Sequence, residues 1–271
     1  MPGTAPPDPD HHGEIRSPSV EEPILITDAM LARPPARPSG RVDFEQGMSY
    51  APRVALLLMV VNIAVFAWEL GEGALVGQDA IIAAGALSRE LVLSGEVWRL
   101  FTPMFLHGGL DHLIGNLIAL YILGMACEHA LGGKQMLAVY LLSGVAASLL
   151  SVALSPGPSV GASGAIFGLM AAVIAVLSRH QHRFYLRDKR IGVVLAGWGL
   201  YTIGTGLLSP YVDNAAHAGG FLGGALIALR LEPTLGAPGL SRSRPPGWAT
   251  RLPERRPSCS RRRDQNRLNR P

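Results

Sequence analysis

Gly161-Ala162-Ser163-Gly164-Ala165-Ile166-Phe167-Gly168 is the stretch on which the reading of this chain turns. It follows Pro156-Gly157-Pro158, a turn signal, and opens an apolar run reaching Leu177, so Ser163 is expected at the start of a helix. The first N–H groups of a helix lack internal partners and point outward, where they can stabilise negative charge developing beside the serine oxygen. Glycines at 161 and 164 leave room for a bound peptide. The competing reading is that small residues and a serine merely let two membrane helices pack closely. A lone Gly-x-Ser-Gly favours that second reading, and the rest of the chain has to decide.

With 48% apolar and 16% charged residues in 271, and with the charges segregated, an ordinary soluble domain is excluded. Six apolar runs, near 53–70, 108–127, 135–154, 162–178, 191–208 and 214–230, have the roughly 16 to 20 residues needed to cross or nearly cross about 30 Å of hydrocarbon. No barrel-like alternation accompanies them, so the fold class expected is all-α and polytopic, a bundle of six transmembrane helices over residues 51–231. Residues 1–50, rich in proline and charge, and the basic tail 232–271 are expected to be disordered cytoplasmic arms. Ile24-Leu25-Ile26 is the one apolar patch in the first arm. No cleavable signal peptide is expected, so the first span would direct insertion. Cys127 and Cys259 form no disulfide framework. The long connection between Glu69 and Phe105 mixes apolar and charged residues and is expected to be a structured interfacial loop, with Trp98-Arg99 at headgroup level.

Orientation follows from the basic residues. The fourth connection holds Arg179, Arg183, Arg187, Lys189 and Arg190, and eleven of the 24 Lys and Arg residues lie in 230–271, whereas the connections after spans three and five carry none. The positive-inside rule then places both termini in the cytoplasm. Spans two, four and six would all begin at the outer face, carrying His107, His112 and Asn116, then Ser163, then His217 to one depth.

Polar groups in or beside membrane spans are costly, and each is a site hypothesis by default. Ser163 and His217 form the minimal nucleophilic pair, in which the imidazole accepts the serine proton and later donates it to a leaving amine. His112 and Asn116, four apart on one helical face, could both donate to an oxyanion. Asp213 could be a third member, but a helix-start acid is the simpler explanation. Gly164-xxx-Gly168 and Gly220-xxx-Gly224 offer faces for close helix contact, and if they meet, Ser163 and His217 meet too.

Trp98-Arg99, His107-xxxx-His112-xxx-Asn116, Gly161-Ala162-Ser163-Gly164 and Ala216-His217-xx-Gly220-xxx-Gly224, in this order, resemble the rhomboid family of intramembrane serine proteases over roughly residues 53–230. The resemblance implies a six-helix core, a Ser163–His217 dyad, and an oxyanion site from the Ser163 backbone with His112 and Asn116. It also implies an outward-opening water-filled cavity and single-span membrane substrates cut near their outer ends. Phe167 stands where the best-known bacterial pattern has a tyrosine stacked on the catalytic histidine: the ring is kept and the hydroxyl lost. Gly161, Gly164, Phe167, Gly168, Gly220, Gly224, Trp98, Arg99 and His107 are expected to support the site. No metal or other cofactor and no nucleic-acid partner are expected. The membrane itself is the medium, with a bacterial plasma membrane the expected location.

Three rival readings are kept beside this one. A non-catalytic relative that only binds membrane helices would be expected to lack the serine or the histidine. His107, His112 and His217 could instead ligate a metal, although His-Glu-x-x-His is absent. A transporter would need polar residues at the midplane rather than gathered at one end.

Overall fold

The computed structural model describes residues 41–186, 190–208 and 212–235, so the readings that fall on 1–40 and 236–271, the Ile24-Leu25-Ile26 patch included, lie outside the described residues. Six longer helices occupy the six apolar runs: α1 (Arg53–Gly71), α4 (Leu110–Leu131), α5 (Gly133–Leu154), α6 (Ser163–Arg179), α7 (Arg190–Leu208) and α8 (Asn214–Ala228). Between α1 and α4 lie two short helices, α2 (Gln78–Ala83) and α3 (Arg89–Leu93), with single 3-10 turns around them. Among the described residues α1, α4 and α5 are long and apolar enough to cross a membrane, and α6 is a shorter apolar helix. Leu57, Val60, Ile118, Leu149 and Leu226 are exposed on these helices, which suits hydrocarbon and not water.

Helix α6 is the centre. Every residue from Gly164 to Val173 is buried, as expected of a helix apolar on all sides. It packs against α4, α5 and α8, and Leu120, Leu123, Met136, Tyr140, Ile166 and Leu169 form the closed core between them. The glycine face expected on α6 meets the one on α8. A Cβ on Gly220 would overlap the Gly164 carbonyl, and one on Gly224 the Gly168 carbonyl, so the two backbones touch where side chains would otherwise stand. A second small-residue face, which sequence reading did not single out, joins α8 to α5: Cβ atoms on Gly219 and Gly223 would collide with Ala146.

The connection between α1 and α4 is structured, as expected. Arg99 is buried and acts as its staple: Nη1 donates to the carbonyls of Ile82 (2.6 Å) and Ala86 (2.9 Å), and Nε to Glu96 at 2.7 Å. Its guanidinium lies 4.4 Å from the centroid of the Trp98 ring, which stays exposed. Thr102 Oγ1 donates to the Gly85 carbonyl at 2.7 Å, and Leu87 and Ser159 exchange backbone hydrogen bonds. The loop therefore carries, through Ser159 and through Gly161 N–H to the Pro103 carbonyl (2.8 Å), the segment that presents Ser163.

At the opposite end, part of the expected first arm is ordered. Val42–Asp43 (β1) pairs in parallel with Phe184–Tyr185 (β2), and Phe44 is buried edge-on to His129 and Phe184. Two residues of strand are too short to leave a periodic signal, so this docking is invisible in sequence. The exposed first N–H groups of α1 are also met there, with Val54 and Ala55 donating to the Glu128 carboxylate of α4 at 3.0 and 3.1 Å.

Candidate active site

Ser163 is the first residue of α6, following Ala162, and the first intrahelical bond of that turn runs from Ile166 N–H to the Ala162 carbonyl. The N–H of Ser163 thus belongs to the set a helix leaves free at its start. His217 stands in the first turn of α8, four residues after Asp213, whose carbonyl accepts its N–H at 3.1 Å. The glycine seam brings the two helix starts together, and Ser163 Oγ lies 2.8 Å from His217 Nε2. That is hydrogen-bond contact, the geometry in which an imidazole can take a hydroxyl proton.

Phe167, one turn after Ser163, stacks on the His217 ring with centroids 4.6 Å apart and planes 16° from parallel. The face contact fixes the imidazole's plane without a hydroxyl. Trp198 of α7 is the other ring neighbour of Phe167, at 5.4 Å. His217 Nδ1 has no hydrogen-bond partner among the described residues. Asp213, which the sequence offered as a third member, spends its carboxylate on other donors: Oδ1 accepts from Ala216 N–H (3.0 Å) and Ser155 Oγ (2.6 Å), and Oδ2 from Ser151 Oγ. Burial works against its charge, but these donors hold the carboxyl below its usual range. Asp213 is the helix-start acid expected of it.

The expected oxyanion donors converge from a third helix start. Gly161 sits at φ 124°, a conformation that favours glycine, and a Cβ there would collide with the His112 imidazole and approach Asn116 Nδ2. His112 and Asn116 therefore border the loop directly ahead of Ser163. Gly108 N–H donates to His112 Nδ1 at 3.4 Å, which leaves the proton of a neutral ring on Nε2, the nitrogen nearer Gly161. Asn116 is buried with Nδ2 unpartnered among the described residues, a donor without an acceptor.

His107 is placed differently. It is fully buried, its ring 5.3 Å from that of His112 and edge-on to it, and both its ring nitrogens lack partners among the described residues. Burial first, then the neighbouring His112, brings its pKa down to about 4. Its backbone N–H donates to the Glu69 carboxylate of α1 at 3.0 Å, so Glu69 anchors the chain entering α4. Sequence reading missed Glu69, because a carboxylate serving one distant backbone N–H has no local pattern. No three His, Cys, Asp or Glu residues are grouped to hold a metal ion among the described residues.

The family model described as the Rhomboid domain matches residues 94–233, just over half the chain, and takes in every one of these groups except Glu69. The chain belongs to the rhomboid family. It is an integral membrane protein, as the apolar helices require. Rhomboid protease AarA of Providencia stuartii is 33% identical over 203 residues, covering 65% of this chain and 71% of that protein. Rhomboid protease GluP of Bacillus subtilis is 35% identical over 180 residues, 66% of this chain but 35% of GluP. Inactive RHOMBOID-like protein 8 of Arabidopsis thaliana is 31% identical over 160 residues, 57% of this chain and 44% of that one. This rhomboid thus spans less than half of the length of two of these three relatives.

Proposed function

We propose that this rhomboid is an intramembrane serine endopeptidase that hydrolyses peptide bonds near the outer end of single-span transmembrane proteins. The observation that carries the reading is the 2.8 Å approach of Ser163 Oγ to His217 Nε2 at the meeting of two helix starts, with Phe167 stacked on the base. Ser163 Oγ attacks the scissile carbonyl carbon while His217 Nε2 takes its proton. The carbonyl oxygen becomes an oxyanion, met by the Ser163 N–H, His112 Nε2–H and Asn116 Nδ2–H. As the C–N bond breaks, the imidazolium returns the proton to the departing amine. Water, deprotonated by His217, then hydrolyses the acyl-serine ester and restores the hydroxyl. Six crossings with both termini in the cytoplasm, in a bacterial plasma membrane, would turn this end of the bundle outward.

A second reading, a rhomboid that binds membrane helices without cutting them, is favoured by the relative named inactive. The intact Ser163–His217 contact weighs against it. The separating experiment is labelling of the intact protein in detergent by a serine-reactive fluorophosphonate. Labelling is expected in the parent and absent in Ser163→Ala, and EDTA should leave it unchanged. Equal labelling of the two would remove Ser163 as nucleophile, and loss with EDTA that zinc restores would revive the metal reading.

A further inference from the structure

Ser151 and Ser155 of the α5 end are unexplained by the dyad. They are four apart in an otherwise apolar stretch, so both hydroxyls fall on one side of the helix, and both donate to the carboxylate of Asp213. The same carboxylate accepts the Ala216 N–H of α8, and the same residue's carbonyl accepts the N–H of His217. One residue thus gathers donors from the end of α5 and the start of α8, and stands one turn before the base.

We infer that Asp213 is a positioning residue whose serine clamp on α5 sets the axial height and rotation of the first turn of α8, and through it the reach of His217 Nε2 to Ser163. The inference rests on the proposed role of His217 as base. A glycine seam alone leaves freedom that the clamp removes. Where Gly164, Gly168, Gly220 and Gly224 meet, backbones touch along smooth surfaces, which sets the separation of α6 and α8. These four residues themselves offer no side chain to oppose sliding or turning of α8 along that surface. Hydrogen bonds are directional, and three of them on one carboxylate leave it a single seat. The two serine donors stand at the C-terminal end of α5, Ser151 in its last turn and Ser155 just past Leu154, so the reference frame for His217 is a helix that carries neither member of the dyad. Asp213 makes no hydrogen bond to the imidazole, whose Nδ1 has no partner among the described residues; its oxygens serve Ser151, Ser155 and Ala216, with the Ser159 hydroxyl beside them.

The test compares fluorophosphonate labelling kinetics of the full-length protein, separating the limiting rate constant from the half-saturating probe concentration, with melting followed in parallel. Ser151→Ala/Ser155→Ala leaves the cap on Ala216 N–H intact and removes the two donors from the end of α5. It should lower the limiting rate about tenfold, short of the roughly hundredfold that a displacement of about 1 Å can cost, with the half-saturating concentration unchanged. Asp213→Asn should restore most of the parent rate, because asparagine caps as well as aspartate and its amide can exchange hydrogen bonds with both hydroxyls. Asp213→Ala should be at least as slow as the double serine variant, and combining all three changes should cost little more, because the groups act as one unit. A double serine variant that labels at the parent rate, or whose half-saturating concentration alone changes, overturns the clamp. So does Asp213→Asn as slow as Asp213→Ala, which would show that the charge and not the seat matters. Parent protein without Ser163-dependent labelling would instead sink the base itself, a failure readily told from these.

Discussion

At the residue scale, Phe167 and the pair His112 and Asn116 make separable contributions. Phe167 offers His217 a flat apolar face. Phe167→Tyr should therefore keep close to the parent rate, while Phe167→Ala, which frees the imidazole to rotate, should slow cleavage with little change in KM. Restoration of parent activity by alanine would show that stacking is incidental. His112→Ala and Asn116→Ala should each lower kcat more than they raise KM, because donors to a developing charge act in the transition state, where a good one contributes about 3 to 4 kcal/mol. The two losses should be non-additive, since in the proposed mechanism both donors address one oxygen. Unchanged turnover in both would leave the oxyanion to the Ser163 backbone alone.

At the element scale, the close approach of α6 and α8 is the feature on which the dyad depends. Gly220 stands three residues after His217, nearly one turn on, against the Gly164 carbonyl next to Ser163. A valine there has no space, so Gly220→Val should push α8 away, nearly eliminate cleavage and lower the melting temperature. Leu226, exposed on the same helix, is the matching control: Leu226→Val should leave the rate near the parent value. Parent-rate cleavage by Gly220→Val would mean that this contact does not hold His217 in place. These two glycine faces were readable because a four-residue spacing of small residues has few other uses in a membrane helix. The face formed by Gly219 and Gly223 against Ala146 was not, since it lies within the same glycine-rich run and nothing local says which helix each half meets. Ser151 and Ser155 were equally hidden, because a serine in an apolar run reads as a small packing residue until its partner on another helix is known.

At the scale of the whole molecule, the polar groups sit where the three helices α4, α6 and α8 begin, which requires those helices to run in the same sense. This much was legible from the spacing of apolar runs and the parity of crossings. The order in residues 41–48 and the anchor from Glu69 to His107 were not, because both depend on partners far along the chain. The direction of insertion makes its own prediction. With Gly157→Cys, at an exposed position of the α5–α6 connection, and His182→Cys, at an exposed position after α6, a membrane-impermeant maleimide added to intact cells should label the first and spare the second. The reverse pattern would turn the site to the cytoplasm and with it the expected position of the scissile bond.

The most direct measurement is cleavage of a single-span model substrate by the purified protein in proteoliposomes, reading release of the outer fragment for the parent, Ser163→Ala and His217→Ala. The parent should release it, and both variants, inserted and folded as judged by helicity and melting, should not. Release at the parent rate by Ser163→Ala would contradict the assignment of Ser163 as the nucleophile.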